Sequence, residues 1–396
     1  MKFSLNQQDL QKSLNYCQGV IEKRSTLPIL SNVLLDASES KLTIVATDLD
    51  LIFIHQILNV EILEEGKTTT SSSIMYDIVR KFSSGKKINF SSAGESKIHL
   101  ESEKSDFNLN CIDASEFPLT DENFNKNQFL INSKDLLKLL NKCKFSVSND
   151  ETRHYLSGIF LHQNQVEDKY FLTAAATDSH RMSISKIRLK EKIEFEPIIL
   201  PKKTIFQLCS LLEDFEGDVK ISNIKSKIKF ELNNSILISK LIDGKFPNYV
   251  QVIPKENQKK LQVDLKLFLD SVDRVASVSL DKKDGVKFNL TKDVLNLSVN
   301  NTNSGDGKES LNVKFDHDLD ISFNSRYLID VASQLDGDQI EIYLKDTNSN
   351  PNKTVKSAIE FRDMGISIVI GPVFFNSLTY LDEIKEITFL SLTNKP

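Results

Sequence analysis

The chain has 396 residues, 40% hydrophobic and 27% charged, with a formal net charge of −5. That composition belongs to a globular protein with room for two to three domains, and it excludes one that grips nucleic acid over its whole surface, which would be basic. No apolar run approaches a membrane span, the start Met1-Lys2-Phe3-Ser4 turns polar too early for a signal peptide, and Cys17, Cys111, Cys143 and Cys209 stand too far apart for a CxxC pair or a zinc knuckle, which suits a reducing cytosol.

Taken in chain order, the predicted elements repeat three times. The first copy opens with a short strand at Phe3–Leu5 and a helix with Leu10, Leu14 and Cys17 at i, i+4, i+7. An alternating strand, Lys41–Ala46, a second helix over Ser73–Phe82, and strands at Lys87–Phe90 and Lys97–Leu109 follow. The second copy repeats the pattern with Phe129–Ile131, then Leu136, Leu140 and Cys143. Without a gap, Leu156-Ser157-Gly158-Ile159-Phe160-Leu161 falls on Leu30-Ser31-Asn32-Val33-Leu34-Leu35. Its second helix covers Pro201–Leu212, with proline in the first turn, and its closing strands are Asp218–Ile221 and Ser226–Leu241. The third copy has Leu261 and Val263, then Phe268, Val272 and Val275, a second helix at Ser325–Leu335, and strands at Gln339–Leu344 and Ala358–Ile370. The first two copies end on Phe117-Pro118 and Phe246-Pro247, the third on Gly371-Pro372. The predicted fold class is α+β: three repeated domains, each with two helices packed on antiparallel sheets. Polar linkers near Asp121–Lys126 and Lys255–Lys259 give domains of 1–122, 127–253 and 259–373, followed by an extension, 374–396.

Little in the sequence speaks for catalysis. The six histidines form no HExxH pair, and no P-loop, G-x-S-x-G elbow or G-x-G-x-x-G occurs, so no metal or cofactor is expected. Asp48 and Asp178 recur in Ala-Thr-Asp at equivalent places, which reads best as a strand-end turn in which Asp bonds its own backbone. The helix at 133–144 is more telling. Lys134, Lys138 and Lys142 form one stripe opposite the apolar stripe of Leu136, Leu140 and Cys143. With Lys144, the pair Lys202-Lys203 and the pair Arg80-Lys81, basic residues recur on helices of an acidic protein, the pattern of a local surface facing phosphates.

Three segments carry a resemblance: Arg24-Ser25-Thr26-Leu27-Pro28-Ile29-Leu30-Ser31-Asn32, Ala176-Thr177-Asp178-Ser179-His180-Arg181-Met182, and Ser239-Lys240-Leu241-Ile242-Asp243-Gly244-Lys245-Phe246-Pro247-Asn248-Tyr249. In this order inside a threefold repeat, the chain from Met1 to about Val373 resembles the bacterial DNA polymerase III beta subunit, the sliding clamp family. The resemblance implies a homodimeric, non-catalytic ring, cytoplasmic and nucleoid-associated. Six similar domains would line a hole with twelve helices, through which double-stranded DNA passes without sequence readout. Twelve helices ~10 Å apart enclose an opening of about 28 Å, wider than a duplex.

The resemblance also assigns residues. Arg24, Lys202 and Lys203 match DNA-facing positions, beside the lysine stripe inferred from spacing. Phe107 in the first domain and Ser277–Val278 in the third match the subunit interface. A groove for short peptide motifs of the polymerase alpha subunit, the clamp loader and repair proteins would take Leu156, Thr177, Ser179, His180, Arg181, Met182, Pro247, Gln251 and Val252, with Val369, Gly371, Pro372 and Val373 opposite. Gln251 stands where relatives often carry a basic residue and Gly371 where they often carry methionine; Gly371 and the stretch after Pro372 suggest the alternative reading, a diverged paralogue that keeps the ring but has weakened partner binding. The extension after Pro372 is apolar, with Phe374, Phe375, Leu378 and Leu381 at helical spacing, and is expected either to pack against the third domain near the groove, partly occluding it, or to cover an outer sheet edge or fray in solution.

Overall fold

The computed structural model describes residues 1–22, 26–94, 96–119, 123–124, 128–252, 259–279 and 285–344, and the backbone of 368–370 and 388–390. Its contacts divide the chain into two compact units, Met1–Ala174 with Ile184–Lys245, and Ala175–Ser183 with Phe246–Pro396.

The first repeat runs β1 (Lys2–Asn6), α1 (Gln7–Gln18), β2 (Asn32–Ser38), β3 (Lys41–Thr47), β4 (Leu51–Ile57), β5 (Val60–Glu64), β6 (Gly66–Ser71), α2 (Ser72–Val79), β7 (Lys87–Ser92), β8 (Lys97–Ser102) and β9 (Ser105–Ile112). The second runs β10 (Gln128–Asn132), α3 (Ser133–Lys144), β11 (Gly158–Val166), β12 (Lys169–Thr177), β13 (Met182–Arg188), β14 (Ile198–Pro201), α4 (Lys202–Glu213), β15 (Asp218–Ile224), β16 (Lys227–Leu232) and β17 (Ser235–Lys240). The third runs β18 (Lys260–Asp264), α5 (Leu265–Ala276), β19 (Gly285–Thr291), β20 (Val294–Asn301), β21 (Gly305–Asn312), β22 (Leu319–Asn324), α6 (Ser325–Ala332) and β23 (Gln339–Tyr343). Two short strands, β24 (Ile368–Ile370) and β25 (Thr388–Leu390), pair in parallel.

The repeat is built by the same local devices each time. The first helix of every copy is capped by the Asx side chain ending the preceding strand: Asn6 accepts from the Gln8 amide at 2.8 Å, Asn132 from Lys134 at 3.0 Å and Asp264 from Leu267 at 2.8 Å. The apolar triads Leu10, Leu14 and Cys17, then Leu136, Leu140 and Cys143, then Phe268, Val272 and Val275 are all buried. In each copy the two helices pack side by side, α1 on α2, α3 on α4 and α5 on α6. The opening strand pairs antiparallel with the strand after the second helix: Phe3 opposite Phe90, Phe129 opposite Ile221, Leu261 opposite Ile342. The Phe3 and Phe90 rings stack at 4.7 Å.

Two expected strands are hairpins instead. The run 97–109 breaks into β8 and β9 around Glu103 (φ 55°), and 226–241 breaks into β16 and β17 around Asn233 (φ 45°). Both turn residues occupy the left-handed region, and neither is the glycine that would have marked the turn. Pro201 precedes α4 as its N-cap residue rather than standing in its first turn.

Within the first unit the first two repeats share one thirteen-stranded sheet. The join is β17 against β4, with Leu237 opposite Phe53 and Ser235 opposite His55. Beside it α1 meets α4, where the Gln207 side chain donates to the Tyr16 carbonyl at 2.9 Å and Lys203 to the Val20 carbonyl at 2.7 Å. The Tyr16 hydroxyl donates to Asp214, which Lys12 approaches at 3.4 Å. Burial and the Asp214 carboxylate push the Tyr16 phenol well above its ordinary range, so it stays a donor.

Candidate functional site

The expected strand-end turn is present, and twice. After β3, Asp48 accepts from the amides of Asp50 at 3.0 Å and Leu51 at 2.6 Å. After β12, Asp178 accepts from the amides of His180 at 2.9 Å and Arg181 at 3.0 Å. Thr47 and Thr177 hydroxyls each accept the amide two residues on, at 3.0 and 3.1 Å. Leu49 (φ 78°) and Ser179 (φ 75°) hold the left-handed positions. Asn301, the last residue of β20, makes the same Asx bonds to the Asn303 and Ser304 amides, at 2.9 and 3.1 Å. These carboxylates therefore shape turns.

The second of these turns lies in the same compact unit as α6, and there it forms the candidate peptide site. Arg181 is only 14% exposed, with Nε 3.0 Å from Asp178 and a terminal nitrogen 2.5 Å from Asp330. Its guanidinium stands 4.5 Å from the centroid of Tyr327, on which the His180 ring also stacks at 6.2 Å. Burial and the nearby Asp178 raise the Tyr327 phenol above its usual range, leaving it neutral. The arrangement is a rigid platform: an imidazole and an aromatic ring side by side, with a guanidinium whose charge two carboxylates balance. It suits an extended peptide with apolar side chains and carries no nucleophile–base pair.

Of the residues expected in the groove, Thr177, Ser179, His180, Arg181 and Met182 come together in this turn. Pro247 is half-buried in the same unit, and Leu156 is buried in the first unit. The backbone of Gln251 and Val252 closes a short 3-10 turn, Tyr249–Val252, against which β24, containing Val369, is placed. Gly371, Pro372 and Val373 lie outside the described residues, as do Phe374, Phe375, Leu378 and Leu381 of the extension. Sequence reasoning missed Tyr327 and Asp330. They sit three residues apart on one face of α6, but only the tertiary contact to Arg181 marks them.

The candidate nucleic-acid face is the α3–α4 pair. Lys134 and Lys138 are exposed, and Lys142 and Lys144 half-buried, along α3. Lys134 forms an exposed ion pair with Glu216 at 2.8 Å. Lys202 bonds the Asn149 side chain. Lys203 turns back to the Asp48 turn of the first repeat, 2.5 Å from that carboxylate. Arg24 lies outside the described residues. At the expected subunit edge, Phe107 is 36% exposed on β9 and rests against Phe82 at 5.8 Å. Ser277 caps the end of α5, exposed, and Val278 follows half-buried. Among the described residues no three His, Cys, Asp or Glu side chains converge as metal ligands, and no helix is long and apolar enough to cross a membrane.

Three copies of one two-helix domain, the first two sharing a continuous sheet, define the architecture of a sliding clamp. The comparisons agree. Models of the DNA polymerase III beta subunit match in order: its N-terminal domain at residues 1–121, its central domain at 130–248 and its C-terminal domain at 250–357. The beta sliding clamp of Caulobacter vibrioides is 34% identical over 376 residues, covering 94% of this chain and 100% of that protein. That of Escherichia coli K12 is 28% identical, covering 88% and 94%. A Caulobacter crescentus beta sliding clamp crystal structure, with polyethylene glycol bound to its putative beta-motif tethering region, superposes with a TM-score of 0.84 at 34% identity, covering 87% and 93%. A Bartonella birtlesii clamp bound to griselimycin gives 0.82 at 36% identity, with the same coverage. The chain belongs to the DNA polymerase III beta subunit family. It is a non-catalytic processivity factor, a sliding clamp, rather than an enzyme.

Proposed function

We propose that two copies of this chain close head to tail around double-stranded DNA and tether the replicative polymerase, working in the cytoplasm at the nucleoid. The observation that carries this is the seam between the first two repeats. There β17 covers the outer edge of β4, and α4 lies against α1. In the third repeat β21 follows the Asx turn as β4 does, and it has only β20 as a neighbour among the described strands. In the first repeat β9 follows its hairpin as β17 does, and among the described residues it pairs on its far side only at Cys111 and Ile112. A second copy supplies the missing partner to each edge, and two such seams related by a twofold axis close the ring. Phe107 then holds the place that Leu237 holds in the seam already formed, and Ser277 and Val278 flank it from the end of α5.

The platform of His180, Arg181, Met182, Thr177, Ser179 and Tyr327, with Pro247, Gln251, Val252, Val369, Gly371, Pro372 and Val373 as the further wall, takes short peptide motifs of the polymerase alpha subunit, the clamp loader and repair proteins. That Arg181 is locked between two carboxylates supports this over the reading of a paralogue with weakened partner binding. DNA is met by Arg24, Lys134, Lys138, Lys142 and Lys202, while Lys203 is engaged by Asp48 in the free chain. Retention on DNA tests the whole reading. A clamp placed by a clamp loader on a nicked circular plasmid should stay through gel filtration and leave once the circle is linearised. Equal loss from both forms would mean that the protein does not encircle DNA.

A further inference from the structure

The six helices that would line such a ring are not alike in charge. In α1, Asp9 offsets Lys12 in number. In α6, Asp330 balances Arg326, and in α5 Asp270 and Asp273 balance Lys266 and Arg274, while α2 holds only Asp77. Within these helix spans the excess of positive charge lies in the second repeat, while Arg80-Lys81 stand just past the end of α2, where Arg80 is paired with Asp77 at 2.9 Å. There α3 carries Lys134, Lys138, Lys142 and Lys144 against Asp135, and α4 carries Lys202 and Lys203 against Glu213.

At the junction of these two helices stands an aromatic ring that the fold does not bury. Phe206 on α4 is 48% exposed. The Lys144 ammonium lies 5.7 Å from its centroid and the Lys202 ammonium 5.9 Å. Each lysine comes from a different helix, and Lys202 is further held by the Asn149 side chain. A free lysine carries about 2 kcal/mol of rotamer entropy, most of which is lost on fixing it against a phosphate. A ring that gathers two ammonium groups reduces that loss before DNA arrives.

We propose that the grip on duplex DNA is concentrated on the α3–α4 face of the second repeat, and that Phe206 is a positioning residue that presents Lys144 and Lys202 to consecutive phosphates. This rests on the reading of the protein as a DNA clamp. It differs from an evenly charged lining: each chain would hold the duplex from one arc, with α5 and α6 as neutral walls. With two ammonium groups within 6 Å of its centroid, Phe206 acts through them rather than by stacking on bases.

Salt dependence separates the two roles. Counterion release makes the slope of log affinity against log salt report the number of phosphates neutralised. Preorganisation changes affinity without changing that number. The full-length protein is titrated with a short fluorescein-labelled duplex at several salt concentrations, following anisotropy. The double variant Lys144→Ala, Lys202→Ala should reduce the slope by about two. Phe206→Leu should weaken binding roughly five-fold, the size of two exposed cation–π contacts, with the slope unchanged, and Phe206→Tyr should restore it. Lys138→Ala should reduce the slope by about one, and Lys266→Ala on α5 should leave it as it was. Wild-type affinity for Phe206→Leu, or equal slope losses for Lys138→Ala and Lys266→Ala, would overturn the inference while leaving the clamp reading intact. A wild-type protein that fails to bind the duplex even at low salt would overturn that reading and this inference together. If Phe206→Leu does not fold, Phe206→Met, which also removes the ring, takes its place with the same expected and overturning results.

Discussion

Arg181 reaches Asp330 at 2.5 Å while its guanidinium covers the Tyr327 ring at 4.5 Å, so one side chain ties the turn after β12 to helix α6. The first repeat ends β3 with the same turn, and there Lys203 of α4 closes on Asp48. Each turn thus receives a charge from the second helix of the following repeat, with the signs exchanged: a cation of α4 on Asp48, an anion of α6 on Arg181. Duplicated backbone geometry has been kept while the ion pair that locks it has been rewritten.

Replacing Asp330 with alanine should therefore act at the peptide platform. Arg181 keeps Asp178 but loses its second carboxylate, and the stacked His180–Tyr327 pair loses its tether. A largely buried, charge-assisted bond of this kind contributes about 1–3 kcal/mol. Binding of a peptide from the clamp-binding motif of the polymerase alpha subunit should weaken about ten-fold by calorimetry, with the protein still folded. Unchanged affinity would show that the platform does not contact the peptide.

A second expectation concerns ring closure. Phe107→Asp places a carboxylate where the first-to-second-repeat seam has the buried Leu237. The wild-type protein should sediment at about twice the 44.9 kDa chain mass. The variant should shift to single-chain mass at micromolar concentration, with a circular dichroism spectrum like that of the wild type. A variant that stays dimeric would move the interface away from β9.

Much of this was legible in the sequence, for a physical reason. A helix capped by Asn6, Asn132 or Asp264 and carrying buried residues at i, i+4, i+7 is a local object, and its three copies can be read against one another. Asp48 and Asp178 as turn formers are equally local. The partners of those turns were not legible. Nothing near Lys203 signals that its ammonium returns to Asp48, and nothing near Asp330 signals Arg181, because both pairs are made by chain segments more than a hundred residues apart. Phe206 escaped notice because an apolar residue on a helix with a buried face reads as core until exposure is seen. The hairpin turns at Glu103 and Asn233 were hidden because neither uses glycine at a positive φ.

Acid should loosen the seam between the first two repeats. His55 sits on β4 opposite Ser235 of β17, with Nδ1 2.8 Å from that hydroxyl. Burial, and then the nearby Lys12 charge, push its pKa down to about 4. The folded state therefore holds His55 neutral, while the unfolded chain binds a proton below about pH 6.5. Stability from this site is fully present above that pH and is lost as pH falls toward 4, by on the order of 2–3 kcal/mol. Melting midpoints of wild type and His55→Gln between pH 7 and pH 4 check this. The wild type should fall more steeply, and parallel curves would show that His55 titrates normally in the fold.

Gly158 offers a test that links strand packing to the nucleic-acid face. It opens β11 opposite Pro201, the last residue of β14 and the N-cap of α4. A Cβ at this position would stand 2.3 Å from the Leu200 carbonyl oxygen and 2.9 Å from an Ile199 methyl carbon. Since the nearer obstacle is backbone, relief requires β14 itself to shift, and α4 begins at the next residue. Overpacking of this kind costs about 1–3 kcal/mol. Gly158→Ala should lower Tm by several degrees, and it should also weaken duplex binding, because Lys202 is the first residue of α4 and moves with Pro201. Duplex binding is measured well below the melting midpoint, so that unfolding does not contribute. A lower Tm with unchanged duplex affinity would show that the strand yields without moving the helix, and that Lys202 is fixed by its contact with Asn149 rather than by the start of α4.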